Sequence, residues 1–302
     1  MLKNKKCLIT GSNGFIGKHL VDRLHKEEAI VYSLNRNPSI VKVYQQYIVD
    51  LRDPLAVHKA IQEIRPEYIF HFAGSTIRES PEQTNLMDIN AFGTKNLLDA
   101  LSSIKYNLFI YPSTSSIYNN YSSVFSENTK IEPKTTYGTS KYLAEKFCLE
   151  HIATGKPIVI VRPFSIYGPG QEDGTMFIPT LLRVFKEGGT FELQDGRQTR
   201  DYLYIDDFID FLMDITISNI RGEILNCGSG KERTLSEIIT MLSQLCEDKK
   251  GKILSIPFRE NIDFLHQRVD LTKVEALLGW KAKVSLEEGI QKTIKLWRSN
   301  SF

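Results

Sequence analysis

The chain has 302 residues, with 38 Lys plus Arg against 36 Asp plus Glu for a formal net charge of +2, and 41% of it is hydrophobic. That supply of apolar residues suits one large domain or two of ~150 residues and excludes disorder as the default, while interspersed charges of both signs give no basic face for nucleic acid. No run approaches the ~20 apolar residues of a membrane span. Lys3, Lys5 and Lys6 are followed by only Cys7, Leu8 and Ile9 before Thr10, too few for a signal peptide. A cytoplasmic protein with neither a membrane nor a nucleic-acid partner is expected.

The four cysteines, Cys7, Cys148, Cys227 and Cys246, are too scattered for a zinc pattern and too few for a disulfide framework. Buried free thiols and no metal follow.

In chain order, short apolar runs alternate with segments of helical period, the pattern of a parallel sheet covered by helices. Strands are predicted over 6–10, 30–35, 68–73, 107–113 and 157–162, and helices over 14–26, 54–64, 84–103 and 136–154. Asp53 before Pro54 reads as an N-cap followed by proline at the first helical position. After Ile166 the turn-rich Tyr167-Gly168-Pro169-Gly170 breaks the alternation.

Gly11-Ser12-Asn13-Gly14-Phe15-Ile16-Gly17 follows the first predicted strand and opens the first helix. A glycine-rich turn there brings backbone N–H groups and a helix N-terminus onto a pyrophosphate. Gly11 permits the tight turn, Gly14 the approach of phosphates, and Gly17 the packing of helix on strand. The spacing is GxxGxxG. It resembles the fingerprint of the short-chain dehydrogenase/reductase superfamily, in particular its extended branch, the NAD(P)-dependent nucleotide-sugar epimerase, dehydratase and reductase family. The resemblance spans Lys6 to about Trp280, with its motifs in order.

That resemblance implies a Rossmann-type doubly wound parallel sheet over 1–166, with residues of about 197–228 returning to it, and a smaller mixed α/β substrate-binding domain over 167–302. An acid at the end of the second strand would hydrogen-bond a ribose 2′-OH, whereas arginine favours a 2′-phosphate. The strand ends Ser33-Leu34-Asn35-Arg36. NADP(H) is therefore the expected cofactor, with NAD(H) possible; an ordinary surface arginine in a loop is the competing reading. By resemblance, Asn13, Phe15 and Ile16 join the glycines at the cofactor, Asp50-Leu51 contacts adenine, and Phe72-Ala73-Gly74 turns near the phosphates and ribose. Asn90, Ser113 and Pro163 complete that set with Tyr137 and Lys141.

Tyr137 and Lys141 are four residues apart in a predicted helix, so both side chains stack on one face. A phenol of pKa ≈ 10 is a poor base at neutral pH, and lowering it by ~3 units takes about 4 kcal/mol. A neighbouring ammonium, with the positive ring of an oxidised nicotinamide, can supply that. The segment Ser113-Thr114-Ser115-Ser116-Ile117-Tyr118 is similar to the family's Ser/Thr-rich strand end, and counting back four from Tyr118 puts the catalytic hydroxyl at Thr114. The family's 4,6-dehydratases carry Asp-Glu next; Ser115-Ser116 stands here, so a dehydratase is not expected. Asn119 replaces the family's usual glycine.

On the substrate side the resemblance implies contacts from Thr114, Ser115, Phe164 and Ser165, where many relatives have asparagine at the last position. It also assigns Arg200 of Arg200-Asp201-Tyr202 to a substrate diphosphate, a task that suits a planar guanidinium. Arg268 is a candidate for the second phosphate, displaced from the usual position, where His266 stands as a structural residue. Asp206 and Asp207 read as helix caps.

The function so implied is NADPH-dependent reduction of the C4 ketone of a nucleotide-diphosphate sugar, with Tyr137 as proton donor. An epimerase with tightly held cofactor is the alternative, and a non-catalytic NADP-sensing protein a remote one. The family also implies a homodimer through the helices near 84–103 and 136–154.

Overall fold

A computed structural model describes residues 2–76, 85–119, 121–171, 176–246, 250–256 and 265–298. Its elements run β1 (Lys6–Thr10), α1 (Phe15–Lys26), β2 (Ile30–Asn35), β3 (Gln45–Ile48), α2 (Pro54–Ile64), β4 (Tyr68–His71), a π-helical turn (Met87–Phe92) continuing as α3 (Gly93–Leu101), β5 (Leu108–Pro112), a 3₁₀ turn (Ser115–Ile117), β6 (Val124–Phe125) and α4 (Thr136–Ala153). There follow β7 (Ile158–Pro163), β8 (Ser165–Tyr167), α5 (Phe177–Glu187), β9 (Thr190–Gln194), β10 (Thr199–Tyr204), α6 (Ile205–Ile217), β11 (Glu223–Cys227), β12 (Glu232–Thr234), α7 (Leu235–Leu245), β13 (Lys252–Ile256), β14 (Arg268–Val269), α8 (Thr272–Leu278) and α9 (Leu286–Arg298).

Seven strands form one sheet in the order β3-β2-β1-β4-β5-β7-β11. The pairings β1–β2, β1–β4, β2–β3, β4–β5 and β5–β7 are all parallel. This is the expected α/β Rossmann-type doubly wound sheet. Its central strands are apolar on both faces, as a sheet covered by helices requires, and β5 is buried at all five positions. Leu8, Leu34, Ile61, Ile69, Leu97, Phe109, Ala144 and Ile160 share one core. The β3 strand falls outside the predicted set because its sequence Gln45-Gln46-Tyr47-Ile48 is polar and mostly exposed. It is the sheet edge, where burial sets no pattern.

The chain divides into two compact units: Met1–Ile117, Ile131–Pro163 and Ile209–Leu225, then Tyr118–Lys130, Phe164–Phe208 and Asn226–Phe302. The first boundary thus falls after Pro163 instead of Ile166, and the returning segment is Ile209–Leu225 instead of 197–228. Tyr118–Lys130, expected within 1–166, also belongs to the second unit, and strand pairing accounts for its place there and for that of the residues after Pro163. Ser165–Tyr167 pairs with Tyr202–Tyr204, and Val124–Phe125 pairs with Arg268–Val269, a partner too distant for any local pattern to reveal. Within this unit β12-β10-β8 form a mixed three-stranded sheet, and Tyr118, Phe125 and Phe164 cluster with ring centroids 5.5 to 6.5 Å apart.

Among the described residues no helix is long and apolar enough to cross a membrane. All four cysteines are buried and free.

Candidate active site

In the first unit β1 and β4 lie side by side, with Thr10 opposite His71. The strand order reverses between them, and ligands of doubly wound sheets bind at the carboxyl ends of strands at such a point. A cavity there is lined in part by Gly11, Asn13, Asn35, Arg36, Asp50, Leu51, Ala73 and Gly74, which sequence reasoning assigned to the cofactor, and also by Leu34, Asn37, Val49, Ser75 and Ile89, which it did not.

Gly11 has φ of +76°, and a Cβ on it would lie 2.6 Å from the Ala73 nitrogen, so this turn admits no side chain. On Gly17 a Cβ would lie 2.2 Å from the Gly11 oxygen, so the glycine lets α1 start directly against the loop. Gly14 differs, since its Cβ would meet only that oxygen, at 3.3 Å, on an exposed surface. The first turn of α1, beginning with Phe15 and Ile16, has no side-chain cap. Its leading N–H groups and positive dipole end are those an anion needs, and the residues fit a dinucleotide diphosphate.

Asn35 ends β2 buried, accepting from Ser12 N at 3.0 Å and donating through Nδ2 to Ser12 Oγ at 2.8 Å. The position expected to carry an acid instead pins the glycine loop, and exposed Arg36 follows it in the cavity wall. Asn13 spends its side chain on the next loop, donating to Pro38 O at 2.8 Å and accepting from Ile40 N at 2.9 Å. Arg52 grips the Asp50 carboxylate through Nε at 3.0 and 3.1 Å and a second nitrogen at 2.6 Å. Those bonds, with a smaller contribution from Arg36, hold Asp50 below its ordinary range.

Phe72 and Ala73 carry the chain from β4 into the cavity wall. Asn90, in the π-helical turn, accepts from Ser75 N at 2.7 Å and donates to Ser75 O and Ser140 Oγ, each at 3.0 Å. Both its amide protons are therefore used within the protein. Such π turns frequently mark functional sites. Ser113 Oγ is buried without a hydrogen-bond partner among the described residues, and Pro163 ends β7 half-buried.

Thr135 caps α4, accepting from Gly138 N at 3.0 Å, which puts Tyr137 in the first turn. A Cβ on Gly138 would lie 2.5 Å from Ser116 O, so only glycine lets α4 pass this close to the 3₁₀ turn. The approach brings Tyr137 into a side-chain hydrogen bond with Thr114. Thr114 Oγ accepts from Ser116 N at 3.2 Å, leaving its proton for the phenol oxygen. Ser115 is buried beside it.

The protein's own groups do not by themselves lower the phenol. Burial pushes Tyr137 above its ordinary value of 10.0, and the Thr114 bond pulls it down without prevailing. Lys141 Nζ stands 4.4 Å from the Tyr111 ring centroid in a cation–π contact, and burial lowers Lys141 to about 8. At neutral pH the phenol keeps its proton and Lys141 remains mostly an ammonium. One turn on, Glu145 accepts from Arg162 of β7 at 3.0 and 2.8 Å, both residues fully buried, which ties α4 to the sheet. Sequence reasoning did not single out Tyr111, Glu145 or Arg162 for this role, nor Ser12, Thr94 and Ser140. Of these, Ser12 inside the glycine motif and Ser140 inside the Tyr-Lys motif carried a local signal.

In the second unit Phe164 is buried and Ser165 pairs with Tyr202. Arg200 is half-buried on β10, donating to Thr199 O at 2.8 Å, and Arg268 is exposed on β14. Asp201 joins their strands, accepting from Ser229 N at 2.6 Å, Ser229 Oγ at 2.8 Å and Val269 N at 3.5 Å. Burial raises Asp201 to about 6 against the pull of the Ser229 bonds. His266 is exposed, with Nδ1 3.5 Å from Thr199 Oγ. Asp206 and Asp207 lie inside the first turn of α6 and do not precede it. Asp207 accepts from Lys283 N and Val284 N at 3.0 and 2.9 Å, which fastens the chain leading to α9.

A family described as the NAD dependent epimerase/dehydratase family matches residues 7–228. A UDP-N-acetyl-alpha-D-glucosaminuronate decarboxylase of Bacillus cytotoxicus is 29% identical, over 97% of this chain and 98% of its own length. A GDP-6-deoxy-D-mannose reductase of Pseudomonas aeruginosa is 25% identical, over 98% of each chain. Among solved structures, a UDP-glucuronic acid 4-epimerase from Bacillus cereus in complex with UDP-glucuronic acid and NAD superposes with a TM-score of 0.85 at 28% identity, over 98% of this chain and 99% of that one.

Proposed function

The chain belongs to the NAD dependent epimerase/dehydratase family, and from that premise we propose that it reduces the C4 ketone of a nucleotide-diphosphate sugar with NADPH. The observation that carries this reading is the end of β2. No carboxylate stands there, Asn35 is committed to Ser12, and Arg36 lines the cavity where a 2′-phosphate would lie. A cofactor so recognised serves as a consumed reductant.

Bound NADPH supplies a hydride to the carbonyl carbon. Tyr137, which keeps its proton at neutral pH, gives it to the ketone oxygen, so the C=O becomes CH–OH. Thr114 donates to the phenolate left behind, and the positive N-terminal end of α4 favours that charge. Lys141, mostly charged at neutral pH and one turn away on the same face, supports it further. Gly11, Gly14 and Gly17, with the start of α1, hold the cofactor diphosphate. In the second unit Arg200, with Arg268 as the weaker candidate, binds the substrate diphosphate, and Ser165, with Phe164 just before it, contributes from the neighbouring strand, where Ser165 pairs with Tyr202. Ser115 and Ser116 provide no acid/base pair for eliminating water, which speaks against a 4,6-dehydratase.

Epimerisation is the second reading, favoured by the Bacillus cereus 4-epimerase and its bound NAD. It requires Tyr137 to act first as a base, which the Thr114 bond, the Lys141 ammonium and the positive ring of an oxidised nicotinamide would favour. The family resemblance further suggests a homodimer. The deciding experiment supplies purified protein with CDP-, dTDP-, GDP- and UDP-linked 4-keto-6-deoxy sugars. Stoichiometric NADPH consumption supports the reductase; interconversion of two sugars with no net consumption sinks it. Larger thermal stabilisation by NADPH than by NADH is expected, and equal shifts would remove Arg36 from the argument.

A further inference from the structure

His71 ends β4 at 1% exposure, with its ring centroid 5.7 Å from that of Phe109 and 6.0 Å from that of Tyr111. Its Nδ1 is 2.7 Å from Thr10 Oγ and its Nε2 is 2.9 Å from Thr94 Oγ. The neighbouring bonds decide where the protons lie. Thr94 Oγ donates its single proton to Asn90 O at 2.6 Å, so it can only accept from His71, and Nε2 must carry hydrogen. A neutral ring then has its lone pair at Nδ1, which takes the Thr10 hydroxyl proton, while Thr10 Oγ accepts from Ala73 N at 3.0 Å. Burial, reinforced by the charge of Lys141, lowers His71 to about 3 and keeps the ring neutral. Beyond Asn90, its amide donates to Ser140 Oγ at 3.0 Å, and Ser140 Oγ donates to Tyr137 O at 2.8 Å.

We propose that His71, as the neutral Nε2–H tautomer, is a positioning residue that joins the phosphate loop at the end of β1, through Thr94, Asn90 and Ser140, to the helix carrying Tyr137 and Lys141. This rests on the reading of Tyr137 as proton donor. The loop sets where the cofactor is held and α4 sets where the proton is held, and hydride and proton must reach adjacent atoms of one carbonyl. A misplacement of about 1 Å between such groups costs on the order of 10²-fold in rate. A charged residue here would be costly to bury, and an apolar one would take from Thr10 Oγ the acceptor for its proton and from Thr94 Oγ its incoming donor. Neutral histidine meets both with one donor and one acceptor on opposite sides of the ring.

Two experiments test it. In the ¹⁵N-histidine-labelled full-length chain at pH 7, the His71 signals, assigned by their loss in His71→Asn, should have the pattern of the neutral Nε2–H tautomer. An Nδ1–H or imidazolium pattern overturns the proposal without touching the reading of Tyr137. The Thr94→Val variant removes both the acceptor for His71 and the donor to Asn90. It should lower kcat by roughly tenfold or more while the NADPH Kd, measured by fluorescence without substrate, stays within about threefold. An unchanged kcat with a lowered Tm would make the chain merely structural and overturn the proposal. Tyr137→Phe, run alongside, reports separately on the proton donor.

Discussion

The two units differ in how they hold the polar side chains in and beside the candidate site. In the first, Thr10, Asn35, His71, Asn90, Ser140 and Glu145 are buried and each is hydrogen-bonded to a named partner. In the second, Arg200 is half-buried, Arg268 and His266 are exposed, and the strands bearing the arginines are six and two residues long. A buried, satisfied site is preorganised and needs no rearrangement as charge develops in the transition state. Arginines less buried than these lose more side-chain freedom when a ligand fixes them, at about 0.5–1.5 kcal/mol per side chain. The first arrangement suits one fixed chemistry, and the second suits diphosphates attached to different sugars.

Substitutions can break or sharpen this contrast. The largest effect is expected from Tyr137→Phe, which should lower kcat about 10²–10⁴-fold with NADPH binding retained; turnover at the wild-type rate would remove the first unit from the chemistry. Next comes Glu145→Ala, which takes the paired carboxylate from the fully buried Arg162 guanidinium. Urea unfolding should show a loss of about 3–5 kcal/mol, and a loss below ~1 kcal/mol would mean the pair is solvated.

Lys141 comes third. Its folded pKa of about 8 lies below the ordinary 10.5. Between those values the unfolded chain binds the additional proton, so stability is reduced below pH 8 and rises as pH climbs toward 10.5. Lys141→Met should abolish that rise and be more stable than wild type at pH 7 by about 3 kcal/mol. Parallel stability curves for the two proteins from pH 7 to 10 would refute it.

In the second unit Arg200→Ala should raise KM for the nucleotide sugar by roughly 10- to 100-fold, the loss of about 1.5–3 kcal/mol from a charged hydrogen bond, with little change in kcat. A fall in kcat alone would erase the contrast. The smallest effect is expected from Asn35→Asp. The carboxylate still accepts from Ser12 N, and the Ser12 hydroxyl, which accepts from the Asn35 amide, turns to donate to it, so the loop survives while the charge opposes a 2′-phosphate. The NADPH to NADH ratio of kcat/KM should drop about tenfold, or ~1.4 kcal/mol, and an unchanged ratio would leave the end of β2 without a role in cofactor choice.

Much of the first unit was legible because its signals are local. Apolar alternation placed β1 and β2 to the residue, and Asp53 does cap α2, accepting from Leu55 N and Ala56 N. Polar β3 had no such signal. The predicted helix over 84–103, whose first residue lies outside the described residues, is in fact a π-helical turn running into α3, and the register change that places Asn90 against Ser75 and Ser140 leaves no mark in the hydrophobic period. The second unit was harder to read. Its short strands pair across long stretches of chain, as Val124–Phe125 does with Arg268–Val269.

Glycine spacing, a tyrosine and lysine one helical turn apart, and an asparagine and arginine where an acid is usual were enough to determine the fold class, the family and the candidate catalytic pair. Those are features of neighbouring residues, fixed by backbone periodicity and by the space a missing side chain leaves. Only the tertiary structure decided the protonation of the site. The raised phenol of Tyr137, the lowered ammonium of Lys141 over the Tyr111 ring, and the neutral His71 between Thr10 and Thr94 all depend on burial and on partners distant in sequence. The cost of burying a charge depends on everything folded around it.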